Sequence, residues 1–85
     1  MKIELKDRSH NPVYAQVREQ IETQIRNKTV AAGESLPSPA ALAQQLAVDK
    51  GEVQRAYYEL EQLRLITNQT GKDFLGKPKV VYRVA

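Results

Sequence analysis

Lys50, Gln54, Arg55 and Tyr58 fall within one short stretch, Lys50-Gly51-Glu52-Val53-Gln54-Arg55-Ala56-Tyr57-Tyr58, and offer an ammonium, a carboxamide, a guanidinium and a phenol. On one helix face such groups can hydrogen-bond base edges, phosphates or sugars, and Tyr58 can donate to a phosphate. The same set is equally an ordinary solvated helix face, and an exposed aromatic also suits a protein interface. A second group of cations, Lys72, Lys77 and Lys79, lies in a glycine-containing stretch near the end of the sequence. Flexible ammonium groups there can follow a polyanion and release its counterions, although lysines also serve solubility and protect strand edges. Ser38, followed by Pro39, can close a helix N-terminus with its hydroxyl and could also hold a phosphate there.

Other chemistries lack their residues. There is no cysteine, which removes disulfides, thiolate nucleophiles and cysteine zinc sites together. The single histidine, His10, reads as a surface residue beside a helix cap rather than a ligand. Glu19 and Glu22 form a solvated pair, no glycine-rich phosphate loop follows a strand, and no serine has a histidine placed to activate it. The expectation is no enzyme, no cofactor and no metal. No apolar run approaches the roughly 20 residues that span a bilayer, so no membrane partner is expected. Met1-Lys2-Ile3-Glu4-Leu5-Lys6-Asp7 alternates charges with aliphatics and does not resemble a signal peptide, which suggests a cytoplasmic location.

These 85 residues, 41% hydrophobic and 27% charged, read as one soluble globular domain over residues 1–85, with no room for a second, ligand-binding domain. The net charge is +3, and its distribution says more than its total. Residues 1–49 balance. From residue 50 to 63, Lys50 and Arg55 stand against Glu52, Glu59 and Glu61, whereas Arg64, Lys72, Lys77, Lys79 and Arg83 later meet only Asp73. The positive excess therefore sits at the end of the sequence.

Three helices and a hairpin must position these groups. An extended arm over residues 1–10 leads to a first helix at 12–28, with Asn11 as N-cap and Pro12 in the first helical position. Its apolar stripe is Val13, Tyr14, Val17, Ile21 and Ile25. Glu34-Ser35-Leu36 is a brief extended piece, because Pro37 disfavours helix at Leu36. A second helix over 38–46 is capped by Ser38. Asp49 and Glu52 have capping-box spacing and open a third helix over 50–63, which buries Val53, Ala56, Tyr57, Leu60 and Leu63. Tyr14 and Tyr57 read as core. Residues 65–84 form a hairpin with a loop from Thr70 to Pro78, under which Phe74 and Leu75 are expected to plug the core.

Four linked segments carry a resemblance. They are Asn11-Pro12-Val13-Tyr14-Ala15-Gln16-Val17, Ala32-Gly33-Glu34-Ser35-Leu36-Pro37-Ser38, Leu42-Ala43-Gln44-Gln45-Leu46-Ala47-Val48 and Val53-Gln54-Arg55-Ala56-Tyr57-Tyr58-Glu59-Leu60-Glu61. In order and spacing they resemble the DNA-binding domain of the GntR family of bacterial transcription regulators, over about Pro12 to Phe74. The leading arm and the Pro-Val-Tyr entry look most like the branch with short effector domains. The resemblance implies a mainly α winged helix-turn-helix, three helices plus a two- or three-stranded antiparallel wing sheet. It also implies binding to double-stranded operator DNA, normally as a homodimer, with the third helix in the major groove.

The resemblance makes the third helix the reading surface, with Lys50, Gly51, Gln54, Arg55 and Tyr58 on it, and the chemistry of the cap and the wing adds Ser38, Lys72, Lys77 and Lys79 to the candidate DNA-binding residues. Departures are specific. Ala40 stands where the family usually has arginine, Gly51 and Glu52 where it commonly has threonines, and Ala47 and Arg64 where glycines are usual. Gln54 can still pair with adenine, and Glu52 repels a nearby phosphate, so DNA binding leans on the wing. Ile3, Leu5 and exposed parts of the last strand are the apolar residues available for a dimer contact. The rival expectation is a winged helix turned to a protein partner, with DNA binding reduced or lost.

Overall fold

Every helix begins where some oxygen satisfies its first amides, and the oxygens come from different places. In the computed structural model, which describes residues 2–6 and 11–85, the elements are α1 (Val13–Arg26), β1 (Ser35–Leu36), α2 (Pro39–Leu46), α3 (Lys50–Gln62), β2 (Ile66–Lys72) and β3 (Pro78–Val84). Ser38 caps α2 as expected, its Oγ accepting from the Ala41 amide at 3.1 Å, with Pro39 in the first turn. Asp49 caps α3 through the Gly51 amide at 2.8 Å. At α1 the expectation fails: the capping position is Pro12 rather than Asn11, and no side chain of its own caps the helix. Instead Glu52 Oε2 accepts the Tyr14 amide at 2.9 Å. Glu52 is thus not the return half of a capping box, because its carboxylate reaches across to another helix. His10 lies outside the described residues.

Three strands form one antiparallel sheet in the order β1-β3-β2. β3 pairs with β1 at Ser35↔Arg83 and Leu36↔Tyr82, and with β2 from Ile66↔Val84 to Lys72↔Pro78. The strands run farther than the composition suggests, which leaves only residues 73–77 as the loop. Helices, sheet and protruding hairpin make a winged helix-turn-helix, elongated to 43 × 26 × 20 Å.

The core lies where α1, α3 and the base of the sheet meet. Val17, Ile21, Val53, Ala56, Tyr57 and Leu60 are fully buried, joined by Val30, Leu36, Leu42, Ile66 and Val84. Each buried valine, leucine or isoleucine among them contributes about 1.5–3 kcal/mol if its apolar surface is fully withdrawn. Leu63, expected in this stripe, is instead exposed just beyond the end of α3. Tyr57 keeps its polar end satisfied: its hydroxyl donates to the Pro37 carbonyl at 2.6 Å, and its ring meets Tyr82 edge-on at 4.9 Å. Burial, with Tyr82 adding to it, pushes the Tyr57 phenol well above the ordinary tyrosine range.

The arm is held by a feature that the helical stripe does not reveal. Lys2, Glu4 and Lys6 each pair their backbone with one glutamine of α1, namely Gln24, Gln20 and Gln16. The Glu4–Gln20 pair is the tightest, at 2.8 Å from the amide and 2.7 Å to the carbonyl. The spacings match because two extended residues advance about 6.6 Å and four helical residues about 6 Å. Ile3 and Leu5 are consequently half-buried on the chain's own core, which uses apolar surface that the sequence leaves available for a dimer contact.

Candidate nucleic-acid interface

The N-terminus of α2, the first turns of α3 and one face of the wing sheet enclose a shallow groove lined by Ser38, Ala40, Lys50, Gln54, Asn68 and Tyr82. Strand alternation explains the sheet's part in it. Ile66 and Val84 are buried and paired, so Asn68 with Tyr82, Thr70 with Val80 and Lys72 with Pro78 follow on the same face toward the tip. Asn68 and Tyr82 escape a reading based on helix faces, although the two-residue period counted outward from Ile66 points to them. Burial, with Glu61 adding to it, raises the Tyr82 phenol above its ordinary value.

Lys50 and Gln54 are exposed at this groove and lie one turn apart on α3. Tyr58, 62% exposed, continues the outward face of the helix. Gly51 plays a backbone part: a Cβ there would stand 3.3 Å from Asp49 Oδ1, the atom that accepts the Gly51 amide. Its small size keeps that cap uncrowded. Ser38 presents its hydroxyl at the groove while accepting the Ala41 amide, so its capping role is already filled.

Arg55 differs from its neighbours. Its guanidinium stacks 3.8 Å from the centroid of the Tyr14 ring, and its Nε lies 3.3 Å from Glu59 Oε2. The other Glu59 oxygen is 3.2 Å from Arg18 Nε, near enough for an ion pair but without hydrogen-bond alignment. Arg55 therefore leans toward α1, while Lys50 and Gln54 face the groove. Tyr14 is half-buried beneath it, rather than lying wholly in the core.

Lys72, Lys77 and Lys79 are exposed along the wing. At its tip Asp73 Oδ1 accepts the amides of Leu75 and Lys77 at 2.9 and 3.0 Å. The Asp73 amide donates to the Lys77 carbonyl at 3.0 Å, and Gly76, at φ +79°, donates to the Asp73 carbonyl at 2.9 Å. This closed turn carries Phe74 and Leu75 past the last strand pair, where they are 95% and 66% exposed. The expected core plugs are thus fully outside the core. The reason is hairpin length, since the strands outrun the helical layer that such plugs would cover.

A profile of the family described as "Bacterial regulatory proteins, gntR family" matches residues 13–75. The chain belongs to the GntR family. It is 33% identical over 64 residues to YhcF of Bacillus subtilis, described as an uncharacterized HTH-type transcriptional regulator. That match takes in 75% of this chain and 53% of YhcF, so the chain spans about half the length of its curated relative. Among solved structures it is similar to YtrA from Sulfolobus acidocaldarius, a GntR-family transcription factor, with a TM-score of 0.81 and 30% identity over 96% of this chain and 78% of YtrA. The AraR DNA-binding domain, solved in complex with operator ORX1, shares the fold at a TM-score of 0.71 and 22% identity, with 100% of this chain and 96% of that one covered. Among the described residues no helix of this GntR-family chain is long and apolar enough to cross a membrane.

Proposed function

We propose that this chain is a DNA-binding transcriptional regulator that reads duplex operator DNA with α3 in the major groove while the wing follows the neighbouring backbone. The observation that carries this reading is the groove itself. A capped helix N-terminus at Ser38, the hydrogen-bonding ends of Lys50 and Gln54, and a sheet face leading to Lys72 converge on one side of the molecule. Gln54 supplies base readout by paired hydrogen bonds to adenine, Lys50 and Tyr58 reach phosphates or base edges, and Lys72, Lys77 and Lys79 supply sequence-independent affinity. Gly51 lets α3 approach closely, and Arg55 contributes by holding α3 against α1, with its exposed edge toward the duplex.

One short recognition helix gives little specificity, so the functional unit is a homodimer on two half-sites about one helical turn apart. The reading places the protein in the cytoplasm and assigns it no catalytic role. A protein partner is the second reading, favoured by the exposure of Tyr58 and by Gly51 and Ala40, two positions that offer no base-reading side chain.

Selection from a random duplex pool at physiological salt separates the two readings. The regulator enriches a motif with two related halves. No enrichment at micromolar protein sinks the regulator and leaves the protein-partner reading.

A further inference from the structure

We propose that Phe74 and Leu75 form an apolar wedge that enters the minor groove next to the major-groove site of α3 and parts one base step, bending the duplex. The proposal rests on the DNA-binding reading above.

Phe74 is the most exposed large apolar side chain in the protein's described residues, and Leu75 adjoins it. The turn that displays them is built rather than slack, because Asp73 and Gly76 tie it with four backbone-directed hydrogen bonds. Exposed apolar pairs on a tied turn mark a contact surface, and the surrounding charge selects the partner. Lys72, Lys77 and Lys79 flank the tip in sequence, and Asp73, the single acid between residues 64 and 85, accepts two amides of the turn through one carboxylate oxygen. The partner is therefore a polyanion that also accepts apolar groups.

Duplex DNA fits better than an anionic lipid surface because of where the tip stands. Asn68 lines the groove with Gln54, and Lys72 lies four residues farther along the same strand face. At about 3.3 Å per residue that is about 13 Å, close to the width of a major groove and enough to cross one phosphate backbone into the minor groove. Apolar wedges there unstack a step, most easily a flexible pyrimidine–purine step. Burying one aromatic and one aliphatic side chain is of the same order as the cost of opening one step, so a single step is parted.

The test uses the full chain and a duplex recovered by selection, with end-to-end energy transfer reporting bending and anisotropy reporting affinity. Wild type bends the duplex. The F74A/L75A variant, whose changed side chains touch no core, keeps the wild-type melting temperature, binds within about tenfold, and leaves the duplex straight. F74W retains the bend, and its indole emission is quenched by stacked bases. Equal bending by F74A/L75A and wild type overturns the wedge, as does unchanged F74W emission on DNA. So does a straight duplex under bound wild type, which leaves the regulator reading intact. Absence of any duplex binding by wild type removes the regulator reading and the wedge with it. Phe74-dependent capture by phosphatidylserine vesicles without duplex bending overturns the wedge in favour of a lipid surface.

Discussion

Glu52, on the first turn of α3, accepts the backbone amide of Tyr14 at the start of α1, 2.9 Å away. One carboxylate thereby serves two helix N-termini: it completes a cap for α1, whose capping residue is a proline, and it complements the positive end of α3. Its carboxylate therefore has a structural role at the start of α3.

Glu52→Ala is expected to destabilise the fold by about 1–2 kcal/mol, the usual range for a lost cap together with a dipole term. Glu52→Gln retains an acceptor and loses less. Urea midpoints at neutral pH measure both. If Glu52→Ala matched wild type, the trans-helix cap would have no energetic role.

Ala47 and Arg64 hold φ of 55° and 61° just past the ends of α2 and α3, where L side chains are strained. A left-handed residue costs about 1–2 kcal/mol, and glycine's extra unfolded-state entropy returns about 0.5–1 kcal/mol of that relief. Ala47→Gly should therefore stabilise by about 0.5–1 kcal/mol and raise the melting temperature by roughly 2–8 °C. Arg64→Gly has the same sign but removes a cation near the wing. A fall in melting temperature for Ala47→Gly would contradict the strain.

The buried Tyr57 hydroxyl, bonded to the Pro37 carbonyl, fixes the sign of an alkaline effect. The unfolded phenol ionises near pH ~10 while the folded one holds its proton to higher pH. Its contribution is therefore fully present below about pH 10 and is lost as pH rises further. Tyr57→Phe should cost about 1 kcal/mol at neutral pH and make the decline above pH ~10 shallower. Parallel alkaline declines for the two proteins would show that Tyr57 does not govern the effect.

The winged-helix order is legible in the sequence because caps, prolines and the 3.6-residue stripe all act locally. Ser38-Pro39 and the Val53-Ala56-Tyr57-Leu60 stripe are examples. What escapes is long-range or depends on length. Glu52 has capping-box spacing, but its partner is 38 residues away. The apolar stripe of α1 says nothing of Gln16, Gln20 and Gln24, whose partners are the backbone of an arm 10 to 22 residues away. Phe74 and Leu75 read as core because large apolar residues usually are, and only the register from Ile66↔Val84 to Lys72↔Pro78 carries them beyond the helices. The candidate DNA-binding residues divide in the same way. Lys50 and Gln54 follow from helix periodicity, whereas Arg55 turns toward Tyr14 and Glu59 through contacts that periodicity does not specify.

On an enriched duplex, Gln54→Ala should lose about 1–3 kcal/mol of discrimination at one base pair and leave the salt dependence unchanged. Replacing Lys72, Lys77 or Lys79 by alanine should weaken binding to all sequences and lower the slope of log affinity against log salt by about 0.9 each. Equal loss of specificity from both kinds of substitution would undo this division between base readout and backbone contact.

The proposed DNA-binding face runs from the α2 N-terminus across α3 to the wing tip. Amide and side-chain NMR shifts on titration with the enriched duplex map it residue by residue. Changes are expected at Ser38, Lys50, Gly51, Gln54, Asn68 and the wing from Lys72 to Lys79, with Gln16, Gln20 and Gln24 little moved. Changes centred on that glutamine ladder, or a spectrum indifferent to duplex, would contradict it.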